Sequence, residues 1–186
     1  MLKVVSGAQT GADVAGLWAA KKFGIHTGGW APKGFMTLNG NHPEMAETFG
    51  IKEHTRGYRG RTIDNLKSAD LTIIVVGVMS AGSKLTIDQC KQLNKPHIVI
   101  RVDPSDLTTS LQTPKLEEIL SHIRRADLLD QDFVLNIAGN SSNNFPRSFE
   151  FTFKFCHRLF TALGYTSTVL PSDYMKLQDI WHEKSI

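Results

Sequence analysis

The residues best suited to chemistry stand together near the start of the chain, in a short segment of small and hydroxyl-bearing residues. This segment, residues 6–11, follows an apolar run and precedes an amphipathic one, which is the order of a strand, a tight loop and a helix. Such a turn gathers unpaired backbone N–H groups at a helix N-terminus, where the helix dipole favours negative charge. The hydroxyl groups of Ser6 and Thr10 add further donors. The loop therefore predicts an anion, such as a phosphate group, as its ligand.

The spacing of the glycines distinguishes this loop from two common nucleotide-binding motifs. Gly7-x-x-x-Gly11 is neither the dinucleotide fingerprint nor the Walker motif, and no Gly-Lys-Ser/Thr is present. ATP hydrolysis of the usual kind is therefore disfavoured. Taken alone, the loop is also compatible with a plain strand-to-helix turn.

The elements that must position this loop alternate along the chain between strands and helices. Predicted strands occupy residues 2–5, 25–30, 71–76, 97–102 and 133–137, and predicted helices occupy residues 13–23, 62–67, 83–94, 114–126 and 145–163. Gly24 is expected to end the first helix, and Thr62 to cap the second. Residues 35–57 read as irregular apart from a helical piece at 43–49, and loops of this length are often functional. The alternation predicts an α/β fold with a mostly parallel sheet and helices on both faces.

The chain is expected to form one domain over residues 1–164, followed by a tail at residues 165–186 that packs on the domain or on a partner subunit. The last predicted helix carries one apolar stripe, which Phe151, Phe155 and Leu159 widen. Such a helix is expected to be buried on two sides, with the sheet on one side and a second subunit on the other. A homodimer or higher homo-oligomer is therefore predicted.

Composition excludes several classes of function. The net charge is only +3 and no cluster of Lys or Arg stands out, so nucleic acid is not indicated as a partner. No stretch approaches the roughly 20 apolar residues that span a bilayer. Cys90 and Cys156 lie in apolar helical patterns, which indicates buried free thiols and a reducing, cytoplasmic location. The histidines show no metal-ligand spacing, so no metal site is predicted.

Four of the predicted strands end in loops of small or polar residues. These loops are residues 6–10, 28–34, 77–83 and 138–144. Ligands of open parallel sheets bind at the carboxyl ends of the strands, so the loops are expected to form one rim. Two of the loops run directly into helices, which favours a phosphate or pyrophosphate group.

Five segments, in order along the chain, carry a resemblance to a known family. They begin with Ser6-Gly7-Ala8-Gln9-Thr10-Gly11-Ala12-Asp13 and continue at residues 28–34, 58–70, 82–86 and 135–139. In these segments the chain resembles the family of putative molybdenum cofactor carriers, within the Rossmann-like superfamily that includes DprA-type proteins and the Lonely-guy phosphoribohydrolases. The resemblance implies a Rossmann-like fold. It also implies that the ligand is a small phosphate-bearing molecule, either the molybdenum cofactor or a nucleotide.

The resemblance and the loop chemistry together give a set of candidate ligand-binding residues. They are Ser6, Gly7, Ala8, Gln9, Thr10, Gly11, Asp13, Trp30, Lys33, Arg59, Arg61, Thr62, Gly82, Ser83, Thr86 and Asn136. The two glycine loops would cradle phosphate, while the Lys and Arg side chains would neutralise it. Alternatives remain open for several members: Asp13 can cap a helix, Trp30 can stack on a base or belong to the core, Thr86 can bond its own helix, and Asn136 can hold the rim loops together.

Departures from the family pattern favour binding over catalysis. Ala8 stands where the family has glycine, Val14 where it has arginine, and residues 35–39 replace an acidic segment. Asp88 stands where the family has a longer carboxylate. We therefore expect a binding protein that acts as carrier, sensor or sequestering sponge. The alternative is a nucleoside 5′-monophosphate phosphoribohydrolase with Asp88 as its catalytic carboxylate.

Overall fold

The computed structural model describes residues 1–105, 113–125 and 131–167. Its strands are β1 (Leu2–Val5), β2 (His26–Ala31), β3 (Met36–Thr37), β4 (Gly40–Asn41), β5 (Ile51–Glu53), β6 (Leu71–Val76), β7 (His97–Arg101) and β8 (Phe133–Gly139). Six of them form one sheet in the order β5–β2–β1–β8–β6–β7, in which every neighbouring pair is parallel. The remaining two, β3 and β4, form a separate antiparallel hairpin. The predicted parallel α/β fold is confirmed.

Helices cover both faces of this sheet. They are α1 (Ala12–Lys22), α2 (Glu44–Phe49), α3 (Tyr58–Ser68), α4 (Ala81–Gln92), α5 (Thr113–Arg125) and α6 (Ser148–Ala162). The larger core lies on the face covered by α1, α2, α5 and α6, while α3 and α4 pack on the other face. β6 shows why the sheet is enclosed: Ile73 and Val75 enter the larger core, and Ile74 and Val76 enter the smaller one.

The structure corrects the prediction for residues 35–68. The segment predicted as mostly irregular contains the β3–β4 hairpin and β5, which are too short to give a periodic pattern. α3 begins at Tyr58, four residues before the predicted start. Thr62 therefore lies inside the helix and does not cap it, and its hydroxyl donates to the Tyr58 carbonyl at 2.8 Å. A tail was predicted at residues 165–186. Beyond residue 167 this tail lies outside the described residues.

Other local expectations are confirmed. Gly24 has a φ of 67° and follows the end of α1, where its N–H donates to the Lys21 carbonyl. Cys90 and Cys156 are buried free thiols, and burial raises their pKa values to about 11 and about 12. Both thiols therefore stay protonated and unreactive at neutral pH. No helix in the described part of the chain is both long enough and apolar enough to cross a bilayer.

Helix α6 is buried on two sides, as its sequence predicts, but the chain itself supplies both. Phe149 and Phe153 lie in the same core as Phe151 and Phe155, and all four are almost fully inaccessible to solvent. α1 is the main helical neighbour of α6. The apolar width of α6 therefore does not by itself require a second subunit, and the homo-oligomer stays a prediction.

Candidate functional site

A cleft of about 270 Å³ opens at the carboxyl edge of the sheet. The elements that form it are the loops after β1, β6 and β8, the first turns of α3 and α4, and the β3–β4 hairpin. Its lining residues are Gln9, Asp13, Leu38, Tyr58, Arg61, Thr62, Asn65, Ser80, Gly82, Leu85, Thr86, Asn136, Ala138, Gly139, Ser141 and Asn144. The location is the one at which parallel α/β sheets bind ligands, because loops from separate strands converge there.

Arg61 brings a positive charge into this cleft from α3. Its Nη1 lies 3.4 Å from Oδ2 of Asp13, and its side chain is mostly buried. The guanidinium lies directly over Gly7, where a Cβ atom would come within 1.5 Å of Nη1. The absence of a side chain at Gly7 is therefore what makes room for Arg61. Nε of Arg61 is buried and has no hydrogen-bond partner in the described part of the chain.

Asp13 brings the opposing negative charge. Oδ2 accepts a hydrogen bond from the Gln9 N–H at 3.3 Å as well as from Arg61. Burial raises the pKa of Asp13 above its ordinary value of 3.8, because lost hydration outweighs the opposing effects of the Arg61 charge and the backbone N–H groups of Gln9 and Gly139. Arg61 therefore enters the cleft as one member of an ion pair, and the other two predicted cations, Lys33 and Arg59, do not line the cleft.

The N-terminus of α4 is open toward the cleft. Ser80 caps the helix, with Oγ accepting from the Ser83 N–H at 3.1 Å. The next two amides along the chain, those of Ala81 and Gly82, have no partner among the described residues, and both residues are exposed. Thr86 lines the cleft one turn further on, and its hydroxyl donates to the Gly82 carbonyl at 3.0 Å. Unpaired amides at a helix N-terminus are the arrangement that binds a phosphate group.

The loop after β1 differs, because most of its amides already have partners within the chain. The amide of Ala8 donates to Ser6 Oγ, that of Thr10 to Gln9 Oε1, and that of Gln9 to Asp13. The amide of Ala12, in the first turn of α1, donates to the Asn140 carbonyl. Of the two helix ends expected to bind phosphate, the one at α4 is therefore the better donor to a ligand.

Asn140 joins the three loops that form the cleft, and sequence reasoning did not select it. Its Oδ1 accepts from the amides of Gly77 and Val78 at 2.8 and 3.0 Å. Its Nδ2 donates to the Val78 carbonyl at 2.9 Å and to Ser83 Oγ at 3.1 Å. The one available signal was its position directly after the strand-ending glycine of β8.

The mouth of the cleft is apolar. Leu38 and Tyr58 line it and are 50% and 42% exposed. Three more exposed apolar side chains, Met36, Val78 and Met79, stand on the adjacent hairpin and the loop after β6. Exposed apolar side chains on the elements that form one cleft indicate a surface that contacts a ligand or partner.

The structure brings together some of the predicted ligand-binding residues and separates others. Those that line the cleft are Gln9, Asp13, Arg61, Thr62, Gly82, Thr86 and Asn136. Six others belong to the loop after β1 or the first turn of α4 but do not themselves line the cleft: Ser6, Gly7, Ala8, Thr10, Gly11 and Ser83. Ala8, Thr10 and Gly11 border a separate small cavity of about 20 Å³ beneath the loop. Ala8 has a left-handed φ of 54°, a conformation that glycine adopts more readily, which agrees with the glycine that the family resemblance implies at that position.

Four further candidates, outside those loops or beyond the first turn of α4, also do not line the cleft. Lys33 and Arg59 are exposed, and Asp88 lies two residues beyond Thr86 on α4. The ring of Trp30 packs edge-on against His54, with the ring centroids 5.6 Å apart.

Asn65 is a further residue that sequence reasoning did not select. Its Oδ1 accepts from the Trp30 amide and its Nδ2 donates to the Trp30 carbonyl, at 2.9 and 3.0 Å. It thereby fixes β2 to the helix that carries Arg61. Among the described residues, no His, Cys, Asp or Glu side chains gather in a group of three that could hold a metal ion.

Comparison with known proteins places this site in a family context. No curated protein matches the chain. A crystal structure described as a "putative molybdenum carrier protein" from Syntrophus aciditrophicus SB is 32% identical, with a TM-score of 0.67 over 85% of this chain and 93% of that one. The model of the circularly permutated YpsA SLOG family matches residues 4–160, which include every element of the cleft. The chain therefore belongs to the circularly permutated YpsA SLOG family.

Proposed function

We propose that the protein binds a phosphate-bearing, nucleotide-like small molecule in this cleft and acts as its carrier, sensor or sequestering agent. The observation that carries the proposal is the open N-terminus of α4, which faces the same cleft as the Arg61 guanidinium. The amides of Ala81 and Gly82 supply donors, and the helix dipole adds a favourable field for an anion. The description of the Syntrophus protein as a molybdenum carrier agrees with a role in binding a ligand.

The rest of the ligand follows from the walls of the cleft. Leu38, Tyr58 and Leu85 supply apolar surface, while Asn65 and Asn136 supply amide groups. A heterocycle attached to a phosphate would use both kinds of wall. A nucleotide and the molybdenum cofactor, which is a phosphate-bearing pterin, both have this composition. Arg61 would hold the anion with charge-assisted hydrogen bonds.

In the hydrolase alternative, Asp88 was assigned as the catalytic carboxylate. Asp88 is not among the residues that line the cleft. A phosphoribohydrolase would need a carboxylate at the reacting sugar carbon. The carboxylate that does line the cleft is Asp13, which is paired with Arg61. A release assay for free base distinguishes binding from hydrolysis.

Arg61 and Arg59 provide a matched test of the proposal. Arg61→Ala removes the guanidinium in the cleft, whereas Arg59→Ala removes an exposed one only two residues away. With adenosine 5′-monophosphate, we expect wild type to show a ligand-dependent rise in melting temperature, because a ligand of the native state stabilises it. Loss of a charge-assisted hydrogen bond costs about 1.5–3 kcal/mol, so Arg61→Ala should bind roughly 10- to 150-fold more weakly. Arg59→Ala should bind as wild type does.

Two results would count against the proposal. Equal losses in both variants would place the anion outside the cleft. If adenosine 5′-monophosphate, guanosine 5′-monophosphate and pyrophosphate all leave the melting temperature unchanged, the ligand does not carry a phosphate of the proposed kind. Sustained release of adenine from adenosine 5′-monophosphate by the wild type would show that the protein is a hydrolase.

A further inference from the structure

A cleft that received only a phosphate anion would gain nothing from a buried carboxylate. Yet the ionisable side chains among its described lining residues are Tyr58, Arg61 and Asp13, and Asp13 is the more deeply buried member of the ion pair, with 6% of its side chain exposed. A buried negative charge disfavours a second one nearby, because the low dielectric of the site strengthens the repulsion. The presence of Asp13 therefore needs a reason besides anion binding.

The contacts of Asp13 within the chain leave room for another donor. Gln9 and Arg61 approach the same oxygen, Oδ2, at 3.3 and 3.4 Å, which are long distances for hydrogen bonds to a carboxylate. The backbone N–H of Gly139 is a third partner. An ionised carboxylate has about four lone-pair positions. Burial still outweighs these partners and raises the pKa of Asp13, so the group is incompletely compensated. A hydrogen-bond donor from a ligand would supply what is missing.

Asp13 and the open amides lie at separate places along the edge of the sheet. Asp13 belongs to the first turn of α1, which follows β1, and the open amides belong to the first turn of α4, which follows β6. β8 lies between these two strands. Two strand spacings amount to about 10 Å. A bare phosphate held by the α4 amides therefore approaches Asp13 only through Arg61, whose guanidinium contacts that carboxylate. A ligand that contacts both groups must carry an organic portion beyond its phosphate.

We infer that Asp13 accepts a hydrogen bond from the organic portion of the ligand, either from a sugar hydroxyl or from an amino group of its heterocycle. This inference rests on the proposed function and extends it: the cleft selects organic phosphates over bare phosphate anions. Buried polar groups discriminate strongly in this way, because an analogue without the donor leaves the acceptor unpaired.

A bracing role for Asp13 is the competing explanation. In that case the carboxylate only fixes Gln9 and Arg61, and the ligand never contacts it. The two roles give opposite results with bare anions. Loss of a brace weakens every phosphate compound, whereas loss of a ligand acceptor weakens only compounds that carry the donor.

Calorimetric titration of wild type and Asp13→Asn separates these roles. The probes are adenosine 5′-monophosphate, 2′,3′-dideoxyadenosine 5′-monophosphate, ribose 5-phosphate and pyrophosphate. We expect Asp13→Asn to bind adenosine 5′-monophosphate at least tenfold more weakly, and pyrophosphate equally well or more tightly because a negative charge has been removed. If a sugar hydroxyl is the donor, ribose 5-phosphate shares the loss. If an amino group is the donor, the dideoxy nucleotide shares it.

Asp88→Asn, the same exchange outside the cleft, should leave all four affinities unchanged.

Equal weakening of adenosine 5′-monophosphate and pyrophosphate in Asp13→Asn would overturn the inference in favour of the brace, and so would no change at all. If Asp13→Asn does not fold, wild type alone decides: the inference fails if pyrophosphate binds as tightly as the organic phosphates. Absence of binding by wild type to any of the four probes would refute the proposed function, which is a different result from either of these.

Discussion

At the scale of single residues, Gly7 and Arg61 form a steric pair. The backbone at Gly7 leaves the space that the guanidinium occupies, so a methyl group there must displace Arg61. Gly7→Ala should therefore reduce affinity for adenosine 5′-monophosphate about as much as Arg61→Ala does, by roughly 10- to 150-fold.

The matched control for this prediction is Gly57→Ala, because a Cβ at Gly57 meets no atom within 4 Å. It should leave affinity unchanged in the same calorimetric titration. A Gly7→Ala protein that binds as wild type does would show that the position of Arg61 does not matter.

The buried carboxylate of Asp13 gives a pH dependence with a definite sign. Its pKa is higher in the folded protein than the ordinary 3.8, so the folded state holds the proton more tightly than the unfolded state. Below pH 3.8 the group is protonated in both states. As the pH rises from 3.8 through the raised pKa, ionisation of Asp13 lowers the free energy of unfolding. Asp13→Asn lacks this loss, so its stability relative to wild type should increase over that interval in urea unfolding between pH 4 and 7.

Asp132 supplies a control of opposite sign. The N-terminal ammonium group beside it lowers its pKa, so its contribution is present above 3.8 and is lost as the pH falls. Asp132→Asn should therefore lose stability relative to wild type as the pH rises, and the effect should be small because the group is exposed. The same trend in both variants would contradict the assignment.

Asn140 is the residue on which the arrangement of the three loops depends most directly. Asn140→Ala removes the acceptor of the Gly77 and Val78 amides and the donor to Ser83 Oγ, which breaks the link between the loop after β6 and the loop after β8. We expect a loss of about 2–4 kcal/mol in the free energy of unfolding, measured with urea. Asn144→Ala, which removes an exposed amide from the same loop, should cost less than about 1 kcal/mol.

At the scale of elements, the hairpin is attached to the site through Gln9. Its Oε1 accepts from the Leu38 amide and from the Thr10 amide, both at 2.9 Å. Gln9→Ala should therefore accelerate hydrogen exchange at Leu38. The Asn39 amide donates to Thr37 Oγ1 within the hairpin and serves as the internal control, since its exchange should not change. Equal acceleration at both amides would mean that the hairpin unfolds as a whole.

A substitution at Phe151 tests whether the residues that widen the apolar stripe of α6 are buried within one chain. Phe151→Ala should cost about 3–5 kcal/mol, because the side chain is buried within the chain. The loss should be the same at low and high protein concentration, whereas it would vary with concentration if the stripe formed a subunit interface. Thr161→Ala, an exposed position on the same helix, should change stability by less than about 0.5 kcal/mol.

The elements also show where sequence reasoning succeeds. The continuous apolar run of β6 identified a buried central strand with correct ends. α3 was harder, because its first turn contains Gly60 and no side chain caps it. With residues 57–61 taken as irregular, Arg59 and Arg61 could both face a ligand. Once they lie on a helix, positions two apart are separated by about 200°, so only one of them reaches the cleft.

At the scale of the molecule, strand order decides which loops meet. The alternation of strands and helices predicted a parallel sheet and a rim at its carboxyl edge. It did not predict that β8, the last strand in the chain, lies between β1 and β6. That insertion brings Asn140 between the two glycine loops, and no local pattern in the sequence encodes it. The same limit explains why the candidate site was predicted in outline while Asn140 and Asn65 were not selected.

The position of the β3–β4 hairpin has a consequence for changing the ligand preference of the cleft. It stands outside the parallel sheet, yet Leu38 forms part of the cleft wall. Its residues can therefore change without disturbing the strands that fold the domain. Replacing residues 36–41 with the corresponding residues of a relative should change the ligand preference of this protein and leave its sheet intact. The hairpin would then determine selectivity independently of the fold.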